Sequence, residues 1–166
     1  MKIDITKIAN AIVLMIDKKV KNLDDRKLSI MLFLMDYKHK QVHNELIFTD
    51  DYIKNKKLPQ SQTLNELYDL IASEEDIDEE DERFYLIEEL IEYVNIDITP
   101  KEKFTELKFS KTEDEDFDDE LFSKEELKTI NKVIEEFKDS SFRNISNEPF
   151  GIDLFRQTED LALIFK

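Results

Sequence analysis

The stretch KLSIMLFLMDY, residues 27–37, decides the fold. Seven of its eleven residues are large and apolar, and only Ser29 interrupts the run. A helix that is apolar on nearly every side is a buried helix. A short apolar run can also form a buried strand, but here Leu and Met outnumber β-branched residues, and Asp24 and Asp25 stand where a helix N-terminus favours acids. The sequence therefore predicts a buried central helix over residues 24–43.

The composition favours a mainly α (α+β) fold. At 166 residues the chain is long enough for one domain with a sizeable core. One Gly and three Pro are too few for a β-sandwich or barrel with many tight turns. We therefore predict a single compact helical domain, residues 1–166, built around the central helix with a few short strands.

The sequence also limits where the protein can act. It has no Cys, which excludes disulfides and thiolate metal sites. The apolar stretch at residues 8–16 is too short to span a bilayer, and no small-residue cleavage site follows it. These features predict a soluble, cytoplasmic protein.

The net charge of −16 is concentrated in two short runs. Residues 73–82 contain eight acids and residues 113–120 contain seven, without a single base in either run. The rest of the chain has 25 acidic and 24 basic residues and is nearly neutral. The runs are either solvated acidic loops or contact points for a basic partner, because like charges resist packing. Nucleic acids and membranes are anionic and would be repelled, so neither is expected as a partner.

Local patterns place further elements around the central helix. Before and after that helix they predict a first helix over residues 8–16, capped by Asp4 or Thr6, and a short strand at 46–48. Pro59 marks a turn or the start of a helix. Further on, the patterns predict helices over 63–73 and 83–95 and short strands at 96–99 and 104–109.

The last third of the chain contains the clearest helix start. Ser123 and Glu126 form a capping box that opens a helix to about residue 138, and Ser141 is placed to cap a short helix after it. Residues 151–166 fit either a terminal helix or a hairpin of residues 152–156 and 161–165. The hairpin is favoured.

Two patterns resemble metal sites without completing one. His39 and His43 lie one helical turn apart and could chelate a metal, but exposed side chains are the simpler interpretation. The acids from Asp114 to Glu125 match EF-hand spacing, yet Asp119 stands where the loop requires Gly. No phosphate-binding loop or nucleophile motif is present. We therefore expect no metal, no cofactor and no enzymatic activity.

Several segments in order resemble the Panacea domain family of SocA-like antitoxins. The segment KLSIMLFLMD (27–36) is similar to the family's KLQKLLYFAD, and Ile47 and Tyr52 fit its GxxIxxxxY spacing, with Asn44 in place of Gly. The later segments NELYDLI (65–71) and FSKEELKTINKVIEEFKDSS (122–141) resemble two of its helices.

The chain departs from the family pattern at its turn and at its end. Lys57 and Leu58 replace the Tyr-Gly of a Tyr-Gly-Pro turn, while Asn147 and Phe150 replace the His and the aromatic residue of a His-Glu-x-x-Trp-like end. The resemblance implies a non-enzymatic antitoxin that binds a co-encoded protein toxin, or an adaptor that delivers the toxin to a protease.

Our candidate contact residues lie near these motifs and in the second acidic run. They are Tyr52, Leu58, Pro59 and Phe150 as apolar anchors, and Asp114, Asp116, Asp118 and Asp119 as charges that steer a basic partner. The alternatives are an acidic DNA mimic that inhibits a DNA-binding enzyme, or another phage or bacterial protein-interaction module. A mimic needs acids at phosphate-like intervals, whereas fifteen acids here lie in two runs.

Overall fold

The computed structural model describes residues 3–113 and 115–165. Within these residues the chain forms seven α-helices and two short β-hairpins, which confirms the predicted mainly α (α+β) class. The helices are α1 (Ile5–Asp17), α2 (Asp25–His43), α3 (Gln62–Ser73), α4 (Glu82–Tyr93), α5 (Lys124–Phe137), α6 (Phe142–Ile145) and α7 (Asp153–Gln157). The strands are β1 (Tyr52–Asn55), β2 (Leu58–Ser61), β3 (Val94–Pro100) and β4 (Thr105–Lys111).

The central helix is α2, as its sequence predicts. Its residues from Ile30 to Met35 are at most 2% exposed. The side chain of Asp24 caps the helix by accepting the amide of Lys27 at 2.8 Å, and Asn44 ends it in the left-handed region at φ 57°. The helix contacts α5, α6, β2 and β4, so it is covered on several sides.

The first helix packs beside this centre. Asp4 caps α1 by accepting the amide of Lys7 at 3.1 Å, which settles the cap in favour of Asp4 over Thr6. The helix contacts α4, β3 and β4. No helix among the described residues is long and apolar enough to cross a bilayer.

The structure around the β1–β2 hairpin contradicts two predictions, the strand at 46–48 and the turn or helix start at Pro59. Residues 46–48 do not form the predicted strand, because the amides of Ile47 and Phe48 donate to the Asp36 side chain instead of to a neighbouring strand. Pro59 does not begin a turn or a helix; it lies inside β2 opposite Lys54. A two-stranded sheet tolerates Pro because it has edges where no amide is needed.

The β3–β4 hairpin confirms the two strands predicted at 96–99 and 104–109. Its antiparallel register runs from Val94 opposite Lys111 to Pro100 opposite Thr105. Leu107 and Phe109 are buried on one face, which agrees with the alternation along β4.

Helix α5 begins at the predicted capping box. The Ser123 hydroxyl accepts the amide of Glu126 at 3.0 Å, and the Glu126 carboxylate accepts the amide of Ser123 at 2.8 Å. Ser141 caps α6 through the amide of Asn144 at 3.1 Å. Both predicted caps are confirmed.

The predicted C-terminal hairpin is wrong. Residues 153–157 form α7, and residues 161–165, here called the extended tail, pair with β1. The amide of Ile164 donates to the carbonyl of Tyr52 at 2.8 Å, and the amide of Lys54 donates to the carbonyl of Ala162 at 3.1 Å. The tail therefore pairs with β1 rather than with residues 152–156. In this position the side chain of Ile164 is buried in the core.

Candidate functional site

Tyr52 lies inside the protein and is only 1% exposed. Its hydroxyl donates to Oδ2 of Asp36 at 2.6 Å. Its ring contacts those of Phe33 and Phe165, with centroids 5.6 and 5.7 Å away. The contact role predicted for Tyr52 therefore requires either a conformational change or an indirect effect through the fold.

The Asp36 carboxylate is the centre of a buried polar network. Besides the Tyr52 hydroxyl, it accepts the amides of Ile47 at 2.6 Å and Phe48 at 3.2 Å through Oδ1. We call these four groups the Asp36 network. They fix the segment between α2 and β1 without regular secondary structure, because the carboxylate supplies the acceptors that a strand would otherwise provide.

Burial raises the pKa of Asp36 to about 6, because the charged form loses its hydration. The hydrogen bonds from Tyr52, Ile47 and Phe48 act in the opposite direction, and the nearby Asp50 carboxylate adds to the rise. The phenol of Tyr52 has its pKa raised well above 10 by its own burial and by Asp36. Tyr52 thus remains a proton donor to Asp36 at neutral pH.

A second buried carboxylate closes the hairpin. Asp50 is 4% exposed and accepts the hydroxyl of Ser61, the hydroxyl of Thr63 at 2.8 Å and the amide of Thr63 at 2.9 Å. These bonds cap the start of α3, where Ser61 itself supplies no side-chain cap. Asp36 therefore fixes the chain that enters β1, and Asp50 links that chain to the end of β2 and the start of α3.

Lys27 joins two distant helix ends. Its side chain is fully buried, and its ammonium donates to the carbonyls of Lys21 at 2.7 Å, Ser140 at 2.8 Å and Lys138 at 3.2 Å. Burial lowers the pKa of Lys27, and the charges of Asp139 and Asp24 oppose that change. The Lys27 side chain thus ties the beginning of α2 to the end of α5.

The other predicted anchors differ in exposure. Leu58 is half-buried and Pro59 is buried, both beside a small cavity of about 30 Å³ that Tyr68 also lines. Phe150 lies on a 3₁₀ turn over Glu148–Gly151, is 36% exposed, and meets the ring of Phe155 edge-on at 5.4 Å. Phe150 is thus the most exposed of the four apolar candidates.

The acidic candidates lie in the loop after β4. Asp116 lies 2.9 Å from the ammonium of Lys111 with its side chain 93% exposed, and Asp118 accepts the amide of Glu120 at 3.0 Å at the start of a 3₁₀ turn. Asp119 is exposed within that turn, while Asp114 lies outside the described residues. The loop therefore presents carboxylates to solvent while using one of them as a cap.

The first acidic run has a similar arrangement. Residues 74–81 connect α3 to α4, and most of their side chains are exposed. Near the end of the run, Asp81 caps α4 and lies 2.7 Å from the guanidinium of Arg83. This hydrogen bond holds the pKa of Asp81 at about 2. The ion pair with Arg83 offsets the charge of Asp81, while most side chains of residues 74–80 are exposed to solvent.

The two histidines do not share one environment. His43 is exposed as expected, but His39 is only 3% exposed, with Nδ1 3.4 Å from the hydroxyl of Thr129. Helix α5, which carries Thr129, covers the His39 side chain, and the residue pattern within α2 cannot reveal this contact. Burial lowers the pKa of His39, and neighbouring His43 lowers it further. In the described part of the chain, no group of three or more metal-binding side chains is assembled.

The EF-hand-like spacing does not lie in a helix–loop–helix unit. The segment before it is strand β4, as the sequence indicated, and its first position, Asp114, lies outside the described residues. An EF-hand requires a helix there.

The sequence interpretation missed an exposed apolar surface near the C-terminus. Eight large apolar side chains are exposed among the described residues, and Phe150, Leu154, Leu161 and Leu163 supply half of them. The predicted hairpin of residues 152–156 and 161–165 did not indicate that these side chains would be exposed. Leu161 lies in a turn with a positive φ of 66°, so the alternation of an extended segment does not apply to it, and the spacing of the leucines gave no signal for this surface.

Comparison with known families gives one result that covers most of the structure. A family model described as "Antitoxin SocA-like, Panacea domain" matches residues 28–148, which run from α2 to the turn before α7. Comparisons with curated proteins and with solved structures gave no match. The matched range contains Asp36, Ile47, Asp50 and Tyr52 and ends before the extended tail.

Proposed function

Because this chain belongs to the SocA-like Panacea family of antitoxins, we propose that it binds and neutralises a co-encoded protein toxin. The observation that carries the proposal is the family match over residues 28–148, more than half of the chain. The match supports a general antitoxin role, and the toxin and the contact surface are our inference.

We assign this function to binding rather than to catalysis. Among the described residues of the matched range, the two buried carboxylates accept donors of the chain itself: Asp36 accepts three hydrogen bonds and Asp50 accepts three. A general acid or base needs hydrogen-bond access to a substrate. Asp36 and Asp50 act instead as structural acceptors, which supports a binding protein.

The contact surface we propose combines apolar anchors with acidic steering. Phe150 and Leu58 are the anchors that remain partly accessible, while Tyr52 and Pro59 support the surface from beneath. The acids Asp114, Asp116, Asp118 and Asp119 attract a basic toxin. Exposed charges are screened within about 8 Å at physiological salt, so they mainly raise the encounter rate, whereas buried anchors slow dissociation.

The test is co-expression with the neighbouring open reading frame. If that frame arrests growth, the wild-type chain should restore it, and the two purified proteins should form a complex by size-exclusion chromatography. Repeating the rescue in a host without ATP-dependent proteases separates direct neutralisation from delivery to a protease. Rescue that persists there supports direct binding. No rescue in either host, together with no complex, contradicts the antitoxin proposal.

A further inference from the structure

A groove runs along the outer edge of the extended tail. Its first part has a volume of about 470 Å³ and lies between the end of α7 and the tail, with Leu154 and Thr158 on one side and Ala162 to Ile164 on the other. A second part of about 210 Å³ shares Leu154 and continues to Phe165 and Tyr37. Leu154 borders both parts, and the tail residues that line them run from Ala162 to Phe165.

The backbone of the tail leaves hydrogen-bonding groups on this side. The bonds to β1 use the amides of Leu161 and Ile164 and the carbonyl of Ala162. In this antiparallel bridge Leu163 lies opposite Ile53 without exchanging bonds with it, so its amide and carbonyl point away from β1. Neither group has a hydrogen-bond partner among the described residues. Leu163 is a single bridge residue rather than part of a longer strand, and its two unpaired backbone groups are the kind that a strand edge presents to another chain.

The groove also defines the chemistry of its occupant. Leu154 and Leu163 are 42% and 39% exposed and give it an apolar wall. Glu159 is the charged residue of the first part and Lys40 that of the second, and neither side chain forms an ion pair within the described residues. A complementary segment is apolar in the middle, basic near Glu159 and acidic near Lys40.

We propose that this groove binds an extended segment of a partner protein, which adds as a strand to the free edge at Leu163. Main-chain hydrogen bonds to Leu163 fix the segment, and an apolar side chain of the segment packs against Leu154. The identification of the partner as the toxin rests on the proposed function, whereas the groove and its strand-like occupant do not.

The first arm of the test uses the co-encoded toxin and the full chain. Leu154→Asp places a charge in the groove, and Leu163→Pro removes the outward amide without removing a bond to β1. Leu161→Asp is the matched control, because Leu161 is 66% exposed but does not line the groove. We expect toxin dissociation to be at least tenfold faster for both groove variants and unchanged for Leu161→Asp.

The second arm uses an acetylated and amidated peptide, Lys-Val-Ile-Val-Glu, with the sequence Lys-Val-Pro-Val-Glu as control. By isothermal titration calorimetry the first peptide should bind the wild-type chain saturably, the proline peptide should not bind the wild-type chain, and neither groove variant should bind the first peptide. Circular dichroism establishes that each variant is folded; if Leu163→Pro unfolds, Leu154→Asp carries the comparison.

The two arms separate the possible failures. Toxin that binds wild type and both groove variants equally overturns the groove while leaving the antitoxin function intact. Toxin that fails to bind the wild-type chain overturns the proposed function, and the peptide then decides the groove. Saturable peptide binding that Leu154→Asp abolishes supports the groove as a binding site for an extended segment. Absence of peptide binding to the wild-type chain overturns that proposal.

Discussion

In the Asp36 network, the amides of Ile47 and Phe48 are buried and donate to a carboxylate, whereas the amide of Leu163 in the extended tail faces away from β1 and has no described acceptor. Both regions hold non-helical backbone next to β1. The network satisfies its backbone groups internally, and the tail leaves some of its groups for another chain.

This difference separates the residues that maintain the fold from those that can meet a partner. Asp36, Ile47 and Tyr52, which carry much of the family resemblance, are all buried, at no more than 1% exposure. Their spacing in the sequence follows from one requirement, namely that two amides and a hydroxyl reach the same carboxylate. The exposed apolar side chains Leu154, Leu161 and Leu163 lie beyond the matched range.

The largest expected effect on the interior comes from Lys27→Met. The substitution keeps the apolar stem but removes an ammonium that donates to three carbonyls. We expect the free energy of unfolding in urea to fall by roughly 3 kcal/mol or more, because hydrogen bonds from charged groups are strong and the carbonyls of Lys21 and Ser140 lose this donor, whereas the Lys138 carbonyl keeps the amide of Lys21. Lys21→Met is the control: its side chain is 67% exposed in an ion pair with Asp139, and its loss should change stability little. Equal effects of the two variants would contradict the structural role of Lys27.

A second prediction concerns the pH dependence of stability. In the folded state the pKa of Asp36 is about 6, above its ordinary value of 3.8, so the folded chain holds this proton more tightly than the unfolded chain. The stabilisation from Asp36 is therefore complete below pH 3.8 and is lost as pH rises to about 6, by roughly 3 kcal/mol in total.

Asp36→Asn isolates this contribution, because other titrating groups are common to both proteins. Between pH 4.5 and pH 7, the stability of the variant should rise relative to that of the wild type, as measured by urea unfolding at each pH. A stability difference that stays constant across this range would show that the pKa of Asp36 is not raised.

A smaller loss is expected for Tyr52→Phe. The variant keeps the ring contacts with Phe33 and Phe165 but removes the hydroxyl that donates to Asp36. Loss of one buried hydrogen bond to a carboxylate should cost about 1 to 3 kcal/mol. Tyr85→Phe, at a residue that is 63% exposed, should be neutral. Toxin affinity should be unchanged for Tyr52→Phe at a temperature where it is folded, and a weaker affinity there would make Tyr52 part of the contact surface.

The last prediction concerns the acidic loop, which should affect toxin binding rates rather than stability. Replacing Asp114, Asp116, Asp118 and Asp119 by Asn should lower the toxin association rate on the order of tenfold at low salt, and this difference should vanish at high salt. Phe150→Ala should instead raise the dissociation rate. Stopped-flow measurements separate the two rates. If the Asn variant instead dissociates faster with an unchanged association rate, the acids act as anchors and the predicted steering role is wrong.

The sequence predicts elements that depend on local signals and misses those that depend on distant partners. Asp4, Ser123 and Ser141 mark helix starts within a few residues of the groups they cap. The β1–β2 turn has no such signal, because Lys56 and Lys57 adopt positive φ angles of 52° and 68° where Gly or Asn is usual.

The candidate site shows the same limit. The burial of Tyr52 depends on Asp36 and on the extended tail, and the burial of His39 depends on α5. The tail itself pairs with β1, far earlier in the chain, so its sequence alone could not distinguish a hairpin from an added strand.

Amide hydrogen exchange tests the contrast between the two regions most directly. In the free protein, the amides of Ile47 and Phe48 should exchange only through global unfolding, whereas the amide of Leu163 should exchange nearly as fast as in an unstructured peptide. The neighbouring amide of Ile164, which donates to Tyr52, is the internal control and should be protected. Addition of the toxin should slow exchange at Leu163. If Leu163 is already as protected as Ile47 in the free protein, or if Ile47 and Phe48 exchange as fast as Leu163, the division between a closed interior and an open edge is contradicted.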